Sequence, residues 1–575
     1  MSDSLTIVRR DMVAVDGWND ETLPLLRRIY AARGAATPEQ AQPRLAQLHA
    51  PDLLGGMQAA VQLLAAAIAN DKRILIVGDF DCDGATACAV GVRGLRMLGA
   101  RDVVHAVPNR MVHGYGLSPS LVEELAALKP DLLVTVDHGI ACHAGVRAAK
   151  ALGWQVLVTD HHLPGEQLPP ADAIVDPNVD GDAFPSKALA GVGVIFYVLM
   201  ALRRHLREQA AFGTQPEPDL LTLLDLVAVG TVADLVALDE NNRALVSAGL
   251  RRLRAGKASV GLQALIEVSG RDPRRLSASD IGYAVAPRLN AAGRLEDMAL
   301  GIELLLTEDP AQAREIATLL EEINAERRAV QQIMTDDAER AVARAVLDDD
   351  MQRPVAACLF DAEWHPGVVG LVASKMKDRL HRPVIAFAPA EPGGDALRGS
   401  ARSISGFHIR DALAAINANH PGLMEKFGGH AMAAGLSLPL ANLDAFKAAF
   451  EQQVQRSLDP ALLQQQLLSD GELSPAELDF QHAEALRLAG PWGQGFAEPL
   501  FDGAFEVLEW RVLKERHLKF VLRQTGSTAR INAIHFSGWT GTAPAQHVQL
   551  AYRLVSDDYR GGKAIQLIVE HCASV

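Results

Sequence analysis

Carboxylates and imidazoles collect where the apolar runs of this chain stop. The run Arg73–Phe80 (RILIVGDF) leads into Asp79-Phe80-Asp81-Cys82-Asp83-Gly84. Leu132–Val136 (LLVTV) ends at Asp137-His138-Gly139, and Gln155–Thr159 (QVLVT) ends at Asp160-His161-His162. If these runs are parallel strands, their carboxyl ends share one edge, where α/β proteins bind ligands. Residues far apart in sequence then meet at one spot. A cluster of carboxylates repels itself unless cations neutralise it, so the pattern predicts divalent metal ions.

Each piece has a plainer reading beside it. Asp79-x-Asp81-x-Asp83-Gly84 mimics the opening of an EF-hand loop. The twelfth loop position, however, is Val90 rather than a bidentate Glu, and a strand-like run precedes it instead of a helix. An acidic structural turn is the other alternative. Asp137 alone could be a helix N-cap. Asp160-His161-His162 is more specific, because three polar ligand types in a row after VLVT point to metal or phosphate. Asp234 sits inside VAVGTVADLVAL, where an Asp is costly to bury without a partner. It is either a cap or hydrogen-bonded core residue, or a further metal ligand. Cys82, between two of the acids, reads as a small apolar spacer.

The elements that must position these groups follow from alternation. Between about 72 and 185, β-rich runs alternate with the helical stretches Ala85–Leu98, Pro119–Leu128 and Ala144–Leu152, the pattern of a parallel sheet. Residues 186–308 turn mostly helical. From Pro310 to about Leu347 no Gly or Pro interrupts a run of good helix formers, which predicts one long connector helix. A second, smaller α/β unit follows, with strands expected at Val355–Phe360, Pro383–Phe387, Gly399–Ile404 and Ala434–Leu438, and helices near Val368–Leu380 and Asn442–Leu458. The last stretch holds short alternating runs (Phe505–Leu513, His517–Arg523, Arg530–Phe536, His547–Val555, Ala564–Val569) and predicts a small β-barrel or sandwich. The fold class is α/β and multidomain, divided as 1–60, 61–309, 310–348, 349–460 and 461–575.

Basic residues and glycines supply a second chemistry. Arg110, His113 and Tyr115 lie just past the run Val103–Val107 and so belong to the same sheet edge. Arg288 and Arg294 flank RLNAAGR, Ser400 and Arg402 lie in RGSARS, and Gly429-His430 precede AMAAG. Arg grips phosphate bidentately, and Gly lets backbone approach it. Singly, each Arg reads first as an ion-pair partner on the surface. Gly191-Val192-Gly193 lacks the third glycine of a dinucleotide fingerprint.

The chain has 575 residues, 49% of them hydrophobic and 22% charged, which describes a folded protein of several domains. No apolar run is long enough for a bilayer, and the N-terminus shows no signal-peptide core, so a cytoplasmic, membrane-free protein is expected. The five cysteines form no C-x-x-C pair, which argues against a disulfide framework or thiolate zinc. The net charge of −15 argues against broad duplex binding but leaves room for a locally charged site.

In combination, VGDFDCDG, TVDHG, TDHH and VGTVADL resemble the metal-binding motifs of the DHH phosphoesterase superfamily, whose namesake triplet is Asp160-His161-His162. WHPGVVG, GSARS and FGGHAMAAG resemble its associated second domain. RLNAAGRL and a C-terminal β domain with GPWGQGF are similar to the bacterial exonuclease branch. The resemblance covers nearly the whole chain. It implies 5′-to-3′ removal of mononucleotides from single-stranded DNA, in repair and recombination, with two divalent cations, Mn2+ or Mg2+. Carried over by position, the metal ligands are Asp79, Asp81, Asp83, Asp137, His161 and Asp234. Asp160 orients His161, and His162 touches the scissile phosphate or aids the leaving group. Arg110, His113, Tyr115, Arg294, Ser400, Arg402, Gly429 and His430 are expected at DNA phosphates. The terminal domain resembles an OB fold, with Trp492, Phe496 and Lys519 as expected contacts; core packing is the alternative for its aromatics. His138 is left open between a phosphate contact and a tolerated side chain. Pyrophosphatase members carry a His where this chain has Val77, which favours the exonuclease pattern.

The implied mechanism is in-line attack of activated water at phosphorus between two cations bridged by Asp137, with the 3′ oxygen leaving. A narrow passage between the two α/β units would admit a single strand and exclude duplex. Single-strand-binding protein and a helicase are expected as partners, and a monomer by default. Three rivals remain: a small-substrate phosphodiesterase of the same superfamily, a noncatalytic fork scaffold that has lost ligands, and a binding module without chemistry.

Overall fold

The structure is a computed structural model and describes residues 5–14, 18, 21–109, 112–348, 354–557 and 562–575. The chain divides into two compact units, one formed by Arg9–Glu321 with Leu468–Val575, the other mainly by Glu322–Leu467. No single helix among the described residues is long and apolar enough to cross a membrane.

The first unit is built on a parallel sheet of β1 (Ile74–Val77), β2 (Val103–Ala106), β3 (Leu132–Val136), β4 (Gln155–Thr159) and β5 (Ala173–Val175), ordered β2-β1-β3-β4-β5. Its central strands are apolar on both faces because helices cover both sides. Each Val, Leu or Ile buried there contributes about 1.5–3 kcal/mol. The covering helices are α1 (Cys82–Met97), α2 (Pro119–Leu125), α3 (His143–Ala151), α4 (Gly191–Glu208), α5 (Leu224–Ala233), α6 (Glu240–Arg254) and α7 (Ala286–Leu295). Helix α4 packs on α1 and α5, so the segment after β5 is helical as expected.

Register sets the functional edge. Val77 pairs with Thr135, and Val136 with Thr159. Continuing past the strands, Asp137 N–H donates to the Thr159 carbonyl at 3.1 Å and Asp160 N–H to the Val175 carbonyl at 3.1 Å. The three acidic loops therefore leave the sheet at one level. The first strand stops at Val77, short of the expected Phe80, and α1 starts at Cys82 because Asp81 caps it, accepting from Gly84 N–H at 3.0 Å.

Helix α8 (Pro310–Asp348) spans the expected connector. The second unit has β6 (Ala357–Phe360), α9 (Val369–Leu380), β7 (Val384–Pro389), β8 (Ala396–Arg402), α10 (Ile409–Asn419), β9 (Lys426–Gly429), β10 (Ala433–Pro439) and α11 (Leu443–Ser457), with sheet order β9-β10-β8-β7-β6. Phe387, Phe446 and Phe450 centre its core. Strand β9 was not expected, since FGG carries almost no side chain to signal it; it forms by pairing with β10.

The C-terminal part has helix α12 (Phe480–Ala489) and then β11 (Phe501–Leu513), β12 (His517–Gln524), β13 (Ile531–His535), β14 (His547–Ser556) and β15 (Ile565–Ser574). They close into a barrel ordered β11-β12-β13-β15-β14, with β13 and β15 parallel. That connectivity is an OB fold.

Candidate metal centre and nucleic-acid surfaces

The sheet edge gathers Asp79, Asp81, Asp83, Asp137, His161 and Asp234. Ligand atoms of three overlapping groups lie within 4.8 Å of one another: Asp79, Asp81 and Asp137; Asp83, His161 and Asp234; Asp137, His161 and His162. Asp137 is 2% exposed, and its backbone is held at φ 66°, a costly conformation for a residue with a side chain. Its Oδ1 lies 3.0 Å from His161 Nε2, which is in turn 3.6 Å from Asp234 Oδ2. Asp234 ends α5, so the helical layer reaches the cluster through one helix terminus.

Two glycines make this approach possible. A Cβ on Gly84 would stand 2.5 Å from the backbone N and O of Asp79, and one on Gly191 would stand 2.5 Å from Asp137 Oδ1. Gly191 also opens α4. Its N–H donates to Asp83 Oδ2 at 2.7 Å, and that of Val192 to Oδ1 at 3.0 Å. The buried Asp83 carboxylate thus sits on the positive end of α4. Gly191-Val192-Gly193 matters here as an anchor for a ligand, not as a dinucleotide loop.

The acids oppose one another. Burial, then the charges of Asp83, Asp81, Asp234 and Asp79, pushes Asp137 well above the usual carboxylate range. Burial, Asp234 and Asp81 do the same to Asp83. Burial and Asp81 raise Asp234 to about 7. No Lys or Arg among the described residues forms an ion pair with Asp81, Asp83, Asp137 or Asp234. Mutually repelling, buried oxygen ligands with one imidazole fit hard divalent cations such as Mn2+ or Mg2+.

Asp160 works differently from expectation. Its carboxylate accepts from the ring of His162 (Nδ1, 2.7 Å), not from the ring of His161, whose backbone N–H donates to it at 2.7 Å. Ile140 N–H donates to the other oxygen at 2.9 Å. Burial opposes its charge, but His162, His161 and Ile140 hold it well below the usual range. Conversely, burial disfavours charged His162, and Asp160 nonetheless raises it to about 9. His162 Nε2 faces the Tyr115 hydroxyl at 3.4 Å, and Tyr115 is edge-on to Phe80.

His138 is fully buried. Its Nε2 lies 3.0 Å from the Val77 carbonyl, and burial lowers its pKa to about 4. It is a neutral ring tying β1 to β3, which closes the option of a phosphate contact.

The expected phosphate contacts divide. Arg110 lies outside the described residues. His113 is committed within the protein, accepting from Asn109 N–H at Nδ1 (3.2 Å) and meeting Glu124 of α2 at Nε2 (3.0 Å). Arg288 is buried and paired with Glu321, whereas Arg294 is half-buried in the last turn of α7. Asn290, between them, was missed; its Oδ1 accepts from Cys82 N–H at 2.8 Å and so steadies the first acidic loop. In the second unit, Arg402 Nη1 donates to Ser400 Oγ at 2.9 Å, and a Cβ on Gly370 would stand 3.0 Å from both side chains. Gly429 has φ 140° in the hairpin that leads to exposed His430.

Trp492 and Phe496 are corrected. They are 8% and 2% exposed, stack on each other at 5.3 Å, and lie before the barrel begins. Trp492 Nε1 donates to the Leu486 carbonyl, and the Arg243 guanidinium covers Phe496 at 4.0 Å. Their faces are spent on packing. Lys519 is half-buried on β12. The exposed aromatics instead cluster at the β11–β12 turn. Trp510 is 41% exposed and stacks on Trp539 at 5.9 Å, while Phe536, 56% exposed, meets His517 edge-on. Arg511 pairs across from Lys519 beside them. That end of an OB barrel is where oligonucleotides bind. Trp510 in the run Phe505–Leu513 and Phe536 at the end of Arg530–Phe536 were the signal available for it.

Family models match in the same order along the chain: the DHH family N-terminal domain over residues 73–231, the DHHA1 domain over 352–456 and the RecJ OB domain over 469–571. The single-stranded-DNA-specific exonuclease RecJ of Dickeya dadantii is 50% identical over 99% of both chains. The protein of that name from Escherichia coli is 46% identical over 99% of both. The crystal structure of RecJ in complex with Mn2+ from Thermus thermophilus superposes with a TM-score of 0.81 at 33% identity, covering 100% of this chain and 80% of that one. The corresponding Mg2+ complex gives 0.77 at 30% identity, covering 100% and 79%. With its three domains matched in sequence and its whole length matched in structure, this chain belongs to the RecJ family.

Proposed function

We propose that the protein is a metal-dependent exonuclease that degrades single-stranded DNA from the 5′ end to 5′ mononucleotides. The observation that carries this reading is the convergence of three ligand groups on Asp137 and His161 at one sheet edge, in a chain whose full-length relatives are named single-stranded-DNA-specific exonucleases. Asp79, Asp81 and Asp137 would hold one divalent cation, and Asp83, His161 and Asp234 a second. When bound, Mn2+ or Mg2+ there supplies Lewis-acid polarisation of the phosphate and acidifies an attacking water.

The chain's own residues do the rest. Asp160 keeps His162 protonated, with its ring beside Asp137 and His161 of the cluster. His162 is thereby placed to neutralise a phosphate oxygen or to give a proton to the departing 3′ oxygen. Tyr115, against His162, walls the same side. Arg110, Arg294, Ser400, Arg402, Gly429 and His430 are the proposed phosphate contacts. Trp510, Trp539 and Phe536, with Arg511 and Lys519, form the stacking and charged surface that binds a single strand without reading its sequence.

Digestion of a long single strand labelled at either end, in Mn2+, tests this reading beside Asp137→Ala. Mononucleotides released from the 5′ end by the parent alone are expected. Equal activity in the variant, or cleavage confined to dinucleotides, would overturn it in favour of a small-substrate phosphodiesterase.

A further inference from the structure

A cavity of about 460 Å3 opens between the end of α6, the Gly270–Asp280 segment, α12 and β14. All of these lie in one compact unit. The volume falls within the range of small-molecule sites, about 300–1,000 Å3. Among its lining are Leu250, Leu486 and Leu554, each nearly buried, with Asp280 and Glu498. Its wall carries Arg254, Arg271, Arg275, Arg487 and Arg553.

Four of these arginines are neutralised within the protein. Arg275 and Arg487 share Glu484 at 2.7 and 2.8 Å. Arg553 is held by Glu498 and Glu570 at 2.8 and 3.0 Å, and Arg271 approaches Asp280 at 3.4 Å. Arg254 differs. Its Nε donates to the Leu276 carbonyl at 2.7 Å, and no carboxylate among the described residues lies within ion-pair distance of it. It is half-buried, and burial and the neighbouring charge of Arg487 lower its pKa. Asp280, on the same wall, opposes that shift without reaching ion-pair distance. A half-buried guanidinium with no direct ion pair is costly, and its two remaining nitrogens form the fork that fits a phosphate. Ser279 adds a hydroxyl to the same wall.

One uncommitted cation suits one phosphate, not a polyphosphate chain. The volume beyond the phosphate is enough for a sugar and a base. We propose that this cavity is a binding site for a nucleoside 5′-monophosphate, with the phosphate on Arg254 and Ser279 and the sugar and base in the remaining volume. The choice of ligand rests on the exonuclease reading, since this is the product that reaction releases; the cavity and its unpaired arginine do not depend on it.

The test is calorimetric titration of the full-length protein with thymidine 5′-monophosphate in EDTA, which keeps cations from the sheet edge. Saturable binding is expected in the parent and in Asp137→Ala. Arg254→Met, which keeps the stem but not the charge, should weaken it at least about tenfold through loss of charge-assisted hydrogen bonds. Thymidine and inorganic phosphate should each bind at least about tenfold more weakly than the nucleotide, because each lacks half of the contacts. Absence of saturation up to about 10 mM, equal binding by Arg254→Met, loss in Asp137→Ala, or phosphate binding as tightly as the nucleotide would each overturn the proposal. If Arg254→Met does not melt like the parent, Ser279→Leu, which narrows the cavity, replaces it with the same expectation. Strand digestion in Mn2+ by the same preparation tests the exonuclease reading separately; a protein that digests DNA yet binds no nucleotide in EDTA loses this inference alone.

Discussion

Replacing Asp234 by Asn should stabilise the metal-free protein and destabilise the metal-loaded one relative to the parent. Burial and Asp81 raise the Asp234 carboxyl from 3.8 to about 7. That interval corresponds to roughly 4 kcal/mol. The folded state binds this proton more tightly than the unfolded chain does. The associated stability is therefore fully present below pH 3.8 and lost as pH rises through about 7. At pH 8 without metal the fold carries the whole cost, and Asn removes it at nearly constant shape. Thermal unfolding in EDTA at pH 8 should show Asp234→Asn melting several degrees above the parent, by up to about 4 kcal/mol. With Mn2+ at a hundred times its dissociation constant the parent gains about 2.7 kcal/mol. The variant, short of one ligand, should gain less, so the gap narrows or inverts. At pH 4 in EDTA the two should nearly coincide. A variant less stable than the parent in EDTA at pH 8 would refute the idea that these carboxylates strain one another in wait for a cation.

Asp160→Asn should move the alkaline limb of the pH–rate profile. His162 stays cationic up to about 9 beside Asp160, and without it should lose its proton above about 6.5; an unmoved limb would contradict the pairing. His138→Gln should flatten the acid side of the stability profile. The neutral ring's stability is present above 6.5 and lost as pH falls through about 4, a contribution of about 3 kcal/mol read from urea unfolding of variant against parent. Trp510→Ala should weaken binding of long single strands by about 1–3 kcal/mol with cleavage of very short strands unchanged, while Trp492→Ala should lower stability by about 3–5 kcal/mol; filter binding beside thermal melts separates the two.

The parts legible in the sequence were those set by local pattern. Apolar runs such as LLVTV and QVLVT mark strands, and parallel strands leave their terminal Asp residues on one edge whatever the details of the loops. Alternation marked the C-terminal part as a small β-barrel or sandwich, and the resemblance narrowed it to an OB fold. What the sequence hid depends on which partner a side chain meets in space. Asp160 could orient either adjacent His, and its loop turns it to His162. His138 looks like one more polar residue of the edge, but it is fully buried against the Val77 carbonyl at the end of the neighbouring strand. Trp492 and Phe496 have the composition of a stacking surface, yet they pack against Tyr30, which lies more than four hundred residues earlier. Asp83 meets the N-terminus of α4 through the N–H groups of Gly191 and Val192, a contact with no meaning until the helix is placed.

Anomalous diffraction from crystals of this protein grown with Mn2+ tests the central claim most directly. The account predicts two peaks at the sheet edge, one among Asp79, Asp81 and Asp137, the other among Asp83, His161 and Asp234, with both weakened or lost in Asp137→Ala. Peaks elsewhere, or no Mn2+ at Asp137 in a protein that still digests single strands, would contradict it.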